Sequence, residues 1–177
     1  HAKVWGILPK DRIEIKTKKE NVDYRKLIAA GSCFAEGEEV IDYGFVERWI
    51  LGLEEKYGVE VMQVGYDRYN AISTVQKLEA NSMECVEVKQ HSSVLHPPTK
   101  LLREAILKKE FAYDENRLLE INFQNARCTE DTNLNKYVNK KRSAGKVDMV
   151  VSTIIAVYLM QQAMLDNSEL DWGIQVI

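Results

Sequence analysis

Two aspartates and one run of basic residues are the groups whose type and spacing suit chemistry. Asp67 closes Gly65-Tyr66-Asp67, where an apolar stretch ends and a helical pattern begins. In open α/β sheets ligands gather beyond the carboxyl ends of strands, so a carboxylate there reaches a cleft without being buried alone. The same position suits a cap for the next helix. Asp148, in Lys146-Val147-Asp148, falls in the first turn of a strongly apolar helix. The helix dipole favours a negative charge there by roughly 0.3–1 kcal/mol, a sufficient structural reason on its own. That helix is expected to be buried, which points Asp148 toward packed structure rather than open solvent. Carboxylates placed close together repel unless a cation neutralises them. Hard divalent ions such as Mg2+ take oxygen ligands and often use few carboxylates. Two such ions about 3.5–4 Å apart activate a water and stabilise a leaving oxygen in phosphodiester hydrolysis. The spacing in sequence does not say whether Asp67 and Asp148 meet in space.

The basic run holds Lys136, Lys140, Lys141, Arg142 and Lys146, with no acid between the first and the last. It leads directly to Asp148 and suits a phosphate backbone. A solvated basic loop is the plainer alternative, and Tyr137 and Asn139 would add polar contacts. His91 and His96 are five apart, whereas helical His pairs that share a metal are four apart, so a metal role is not expected of them. Asp114 reads as a turn residue and Glu130-Asp131 as a surface loop. Ser32-Cys33 and Ser143-Ala144-Gly145 lack the setting of a nucleophile elbow. Neither a P-loop nor a GxGxxG is present.

The elements that must position these groups can be read from patterning. Ala2 to Leu8 and Arg12 to Lys16 read as strands around a turn at Pro9-Lys10-Asp11. Asn21 to Ala30 reads as a helix stopped by Gly31, and Val40 to Tyr57 as one helix ended by Gly58. Val59 to Tyr66 suits a strand covered on both faces, Asn70 to Glu79 a helix, and Cys85 to Val88 a short strand. Pro97-Pro98 would open a helix running to about Lys109. Leu118 to Ala126 and Asn133 to Lys140 read as extended or hairpin segments, and Val147 to Gln162 as a buried helix. The tail after Asp166, with Asp171-Trp172-Gly173, is expected to be loosely held. Strands alternating with helices imply an α/β fold with a mixed sheet.

Size and composition agree with one packed domain. The chain has 177 residues, 45% of them hydrophobic and 29% charged, near globular averages. Its net charge of −3 argues against a strongly basic coat on nucleic acid but leaves room for a local basic patch. Three cysteines, Cys33, Cys85 and Cys128, form no CxxC, so buried free thiols are expected rather than disulfides or a zinc knuckle. The apolar run Val147 to Met160 falls short of the roughly 18–20 residues of a membrane span. His1 is read as the start of a piece of a longer chain.

Taken together, the motifs resemble a known family. Val64-Gly65-Tyr66-Asp67-Arg68-Tyr69-Asn70-Ala71 is similar to the strand-end motif of the large terminase subunit of tailed double-stranded DNA phages. Gln90, Pro97-Pro98-Thr99-Lys100 and Asn139-Lys140-Lys141 through Gly145-Lys146-Val147-Asp148 come next in the family's order. Upstream, Ile7-Leu8-Pro9, Val22-Asp23-Tyr24 and Ile41-Asp42-Tyr43 are also similar, so the resemblance reaches to about Gln162.

The resemblance implies an RNase H-like nuclease domain over residues 1–177, a mixed β-sheet flanked by helices on both faces. It implies a two-metal site for Mg2+ or Mn2+ with Asp67 and Asp148 as catalytic, metal-binding carboxylates. Lys136, Lys140, Lys141, Arg142 and Lys146 would hold DNA. The implied activity is cleavage of concatemeric double-stranded DNA during packaging, in the cytoplasm of the infected or lysogenic bacterial host and with no membrane. An upstream ATPase domain, a small terminase subunit and a portal protein are the implied partners. The family also carries an aspartate on a first strand, which would precede Ala2 and has no match here. A DNA-binding or assembly module that does not cut, or another RNase H-like nuclease such as a resolvase, remain open alternatives.

Overall fold

The computed structural model describes residues 1–68 and 71–166. Tyr69, Asn70 and the Asp171-Trp172-Gly173 segment lie outside them. The chain forms two compact units, one of residues 5–89 and one of residues 1–4 and 90 onward.

In the unit of residues 5–89, β1 (Gly6–Leu8) pairs in parallel with β2 (Cys33–Ala35), Ile7 opposite Phe34. Between them, one 3-10 turn (Lys10–Arg12) leads into α1 (Ile13–Glu20) and α2 (Tyr24–Ala29). The strand expected at Arg12 to Lys16 is therefore helix. Two isoleucines spaced by two are too short a signal to outweigh a Lys- and Glu-rich segment of good helix formers. Lys16 Nζ lies 3.5 Å from Glu20 Oε1, an i,i+4 pair only a helix makes. Asp23 accepts the Lys26 amide and caps α2. Gly31, at φ 75°, turns the chain from α2 into β2, a strand not legible in the sequence.

The helix expected over Val40 to Tyr57 is two helices, α3 (Tyr43–Leu51), capped by Asp42, and α4 (Leu53–Tyr57), with Gly52 at the break. Gly58, at φ 63°, ends α4 as expected. β3 (Val64–Tyr66) is shorter than its apolar run and pairs in parallel with β4 (Cys85–Glu87), with α5 (Ile72–Ala80) between them in sequence. Leu8, Leu27, Cys33, Val75, Leu78 and Val88 are buried. Glu47 of α3 is 8% exposed, and it accepts from Thr74 Oγ1 at 3.2 Å and Lys77 Nζ at 2.9 Å, joining α3 to α5. Phe34, Phe45 and Trp49 pack as an aromatic group, with Trp5 edge-on to Trp49 and the Lys56 ammonium 4.0 Å above its ring.

In the second unit, α6 (Ser92–Leu107) begins well before Pro97. His91 is its N-cap, so the two prolines sit in the second turn. The segment expected to be extended at Leu118 to Ala126 is α7 (Arg117–Asn125). Asn116 Oδ1 accepts the Leu119 amide at 3.0 Å and its Nδ2 donates to the Val4 carbonyl at 2.6 Å. The cap and the helical spacing of buried Leu118, Leu119 and Asn122 override the β-leaning reading. β5 (Cys128–Glu130) and β6 (Lys136–Val138) form the antiparallel hairpin. α8 (Asp148–Asp166) buries Met149, Val150, Val151, Thr153, Ile154 and Ile155, and packs with α6 and α7. By length and composition α8 could cross a membrane, contrary to the expected shortfall. The burial of its first two turns is that of a core helix.

The strands among the described residues pair as three two-stranded ladders, two parallel and one antiparallel, rather than one mixed sheet. Each strand is three residues long and offers little backbone for further pairing. The fold is mixed α/β, with helices carrying most of the burial. Leu119 is 1% exposed. Its truncation to alanine is expected to cost about 2–5 kcal/mol, read as a lower urea midpoint with an unchanged slope.

Candidate functional site

Asp148 is the first residue of α8, and the burial of its neighbours explains its place. Val147, Met149, Val150 and Val151 are all buried. The Met149 amide, an orphan donor of the first helical turn, gives its hydrogen bond to Asn122 Oδ1 at 3.2 Å. Asn122 is itself buried and donates from Nδ2 to the Leu118 carbonyl at 2.9 Å. One side chain of α7 thus closes the N-terminus of α8 from inside. Asp148 itself projects outward with 63% of its side chain exposed. The expectation that a buried helix would carry Asp148 into packed structure is corrected. Only the inward face is buried, and the first residue of the helix lies on the other side.

The basic run becomes an ordered loop between β6 and α8, organised by Asn139. Asn139 Oδ1 accepts the amides of Lys141 at 3.0 Å and Arg142 at 3.2 Å, and Nδ2 donates to Thr129 Oγ1 at 3.2 Å. The Asn139 carbonyl accepts both the amide and the hydroxyl of Ser143, and that hydroxyl also accepts the Arg127 amide. Asn125 donates to the Lys146 carbonyl and its own carbonyl accepts the Ala144 amide. Gly145 lies against the Asn125 side chain, where a Cβ would come within 2.7 Å of Nδ2. Lys140 Nζ is then 3.3 Å from Asp148 Oδ1.

The other basic residues divide. Lys141, Arg142 and Lys146 are exposed on the same loop. Lys136 is turned instead to Glu130, 2.8 Å away across the hairpin. The structure therefore joins Lys140 to Asp148 and draws Lys136 into a different pair. Asn139, Asn122 and Asn125, which set this geometry, carried little weight in the sequence. The one local signal was an asparagine at the head of a polar turn, whose side chain commonly bonds the backbone two residues on.

Asp67 belongs to the unit of residues 5–89. It comes directly after the last residue of β3, at the carboxyl end of a parallel pair, and is half-buried. The next helix, α5, has Ala71 at its N-cap. Among the described residues no group of three or more His, Cys, Asp or Glu side chains comes together as a metal cluster. The donors are nonetheless of the right kind. Asp148 presents carboxylate oxygen to solvent beside a single exposed ammonium, and Mg2+ is commonly held by one or two carboxylates with waters and substrate phosphates.

His91, His96 and Asp114 have structural partners. His96 Nδ1 takes the Lys136 amide at 2.8 Å, and His91 caps α6. Asp114 pairs with His1 and Lys3 on the segment joining α6 to α7. All three cysteines are free, but only Cys33 is fully buried, and burial pushes its thiol up to about 11. Burial also raises Cys85 and Cys128, so none is set up as a thiolate nucleophile.

The family described as "Terminase large subunit, endonuclease domain" matches residues 2–164. The chain is similar in structure to the large terminase of bacteriophage HK97, with a TM-score of 0.78 at 19% identity. That match covers 86% of this chain and 32% of the HK97 chain. It is also similar to the large terminase nuclease of thermophilic phage G20c, with a TM-score of 0.53 at 19% identity over 67% of this chain and 62% of that one. The chain thus spans about a third of the HK97 protein's length. A search of curated proteins finds no match.

The hairpin that launches the basic loop turns on Asp131, a half-buried residue rather than a free surface acid. Its carboxylate accepts from Ser92 Oγ at 2.6 Å, Asn135 Nδ2 and amide at 2.9 Å each, and the Asn133 amide at 2.8 Å. These bonds, the Ser92 hydroxyl first, hold its carboxyl well below the usual range. A depressed folded value contributes stability above the unfolded value of about 3.9 and loses it as pH falls further. Asp131→Asn is expected to be less stable at neutral pH. Its stability should also fall less steeply than the parent's below about pH 4, as measured by circular dichroism melts. Parallel acid profiles for the two proteins would remove Asp131 as an anchor.

Proposed function

The chain belongs to the family of terminase large-subunit endonuclease domains, and we propose on that footing that it is a divalent-cation-dependent nuclease cutting concatemeric double-stranded DNA during phage genome packaging. The observation that carries the reading is Asp148. An exposed carboxylate stands at a helix start, next to an ordered loop of exposed basic residues, in a chain that matches the family almost end to end.

In this reading Asp148 and Asp67 are metal carboxylates. When bound, two Mg2+ or Mn2+ ions supply activation of a water and stabilisation of the leaving oxygen at a phosphodiester. The chain's own part is to hold the carboxylates still and bring the backbone to them. Asn122 and the buried stripe of α8 fix Asp148. Lys140, Lys141, Arg142 and Lys146 hold phosphates, their backbone shaped by Asn139 and Asn125. Lys136, paired with Glu130, is a more peripheral contact. No protein nucleophile is required, in keeping with thiols that stay protonated.

The RNase H-like arrangement enters from the family match, and the two parallel pairs, each connected through helices, are those of an α/β fold. The rest of the packaging machine enters by family. An ATPase domain in the same polypeptide, a small subunit and a portal are the expected partners, in the cytoplasm of the bacterial host.

Supercoiled plasmid should be nicked or linearised with Mn2+ or Mg2+ and left intact with EDTA. Asp148→Asn and Asp67→Asn should each slow cleavage by roughly a hundred- to a thousandfold, the range for losing a group that stabilises transition-state charge. Undiminished cutting by Asp148→Asn would sink the assignment, and tight binding without any cutting would favour a packaging module that does not cleave. Replacing Lys141, Arg142 and Lys146 with alanine should weaken binding to all duplexes alike. The slope of log K against log salt should fall by about 0.9 for each phosphate no longer neutralised. An altered sequence preference would contradict a role at the phosphate backbone.

A further inference from the structure

The ion pair between Lys140 and Asp148 unites a proposed phosphate contact with a proposed metal carboxylate. We propose that Lys140 is an exchangeable counter-charge. It neutralises Asp148 in the cation-free protein and is released to a DNA phosphate when a divalent cation takes that carboxylate. The inference rests on the reading of Asp148 as a metal ligand and adds to it a link between cation binding and DNA binding.

Three features support the exchange. First, the pair is placed rather than incidental. The backbone on either side of Lys140 is tied down by Asn139 and by the amides of Lys141 and Arg142, so its side chain starts from a fixed point beside α8. Second, the pair is weak enough to open. The Lys140 and Asp148 side chains are 51% and 63% exposed, and exposed pairs contribute little because water and salt screen them. A doubly charged ion that prefers hard oxygen displaces an ammonium from such a carboxylate. Third, the freed ammonium has a use. Lys141, Arg142 and Lys146 are exposed on the same loop, so release adds one positive charge to a surface already suited to phosphate. Lys136, by contrast, is drawn off to Glu130 and is not exchanged in this way.

Linkage makes the effect reciprocal. Whatever Lys140 costs the cation on Asp148, the cation returns as a gain for phosphate at Lys140. The pair then acts as a latch, keeping Asp148 neutralised and the loop one charge short until the cation arrives.

The test is Mn2+ binding to the DNA-free protein, by electron paramagnetic resonance and calorimetry, for the parent, Lys140→Met, Lys140→Arg and Asp148→Asn. Melting curves confirm that each is folded. The parent should bind Mn2+ at millimolar concentration or below, and Asp148→Asn should bind it more weakly. Lys140→Met should bind it about two- to fivefold more tightly, the range an exposed pair supports, with Lys140→Arg close to the parent. Binding of a short duplex whose phosphorothioate linkages resist cleavage supplies the second readout. Adding Mn2+ should steepen the salt slope by the equivalent of about one phosphate in the parent and less in Lys140→Met. If Asp148→Asn weakens Mn2+ binding and Lys140→Met leaves both Mn2+ affinity and the salt slope as in the parent, the exchange is overturned and the metal assignment stands. If Asp148→Asn binds Mn2+ like the parent, or the parent binds none, the metal assignment falls and the exchange with it.

Discussion

The burial of one face of α8 is the constraint on which the proposed site depends. Met149, Val150, Val151, Ile154 and Ile155 leave water together, and α6 and α7 supply the surfaces that receive them. At roughly 25 cal/mol per Å2 of apolar surface, this burial outweighs any polar preference at the helix end. It also sets rotation. Once the apolar face is turned inward, Asp148 stands outward at the first turn. Asn122 completes the arrangement by accepting an amide that burial would otherwise leave unpaired, a fault costing about 1–3 kcal/mol.

Around that fixed point the basic loop is shaped by amides rather than by its charges. Lysines and arginines on a free segment would repel one another and spread. Here Asn139 gathers the turn through both ends of its side chain and its carbonyl, and Asn125 holds the far end beside Gly145. The charges are left exposed because the backbone beneath them is satisfied. The result suits recognition of a phosphate backbone, which needs positive charge at a defined place rather than base-specific donors.

The unit of residues 5–89 is held together differently. Its parallel pairs are short, and much of its cohesion lies in helix contacts and rings. Glu47 is a buried carboxylate made tolerable by Thr74 and Lys77, and removing either partner would leave charge or a polar atom uncompensated. β3 delivers Asp67 to the carboxyl end of a parallel pair. A carboxylate at such an edge suits the role its motif suggests.

Much of this was legible in residue order, and the remainder was not for identifiable reasons. The pattern around Val64 to Asp67 and the run into Val147 and Asp148 pointed to the family before any fold was known, and singled out both carboxylates as candidates. Strong, local signals also placed Gly58 as a helix end and Val147 onward as a helix. Arg12 to Lys16 and Leu118 to Ala126 were misread as extended because alternation over a few residues does not separate strand from helix. In the first, Lys and Glu favoured the helix, and in the second the Asn116 cap and packing of Leu118, Leu119 and Asn122 decided. By itself the sequence determined which groups could do chemistry and their order along the chain. Only the tertiary structure decided that Asp148 faces solvent, that Lys140 meets it and that Lys136 turns to Glu130 instead. Those outcomes depend on which helix face is buried and on asparagine side chains reaching the backbone of other segments, and neither is written in local spacing.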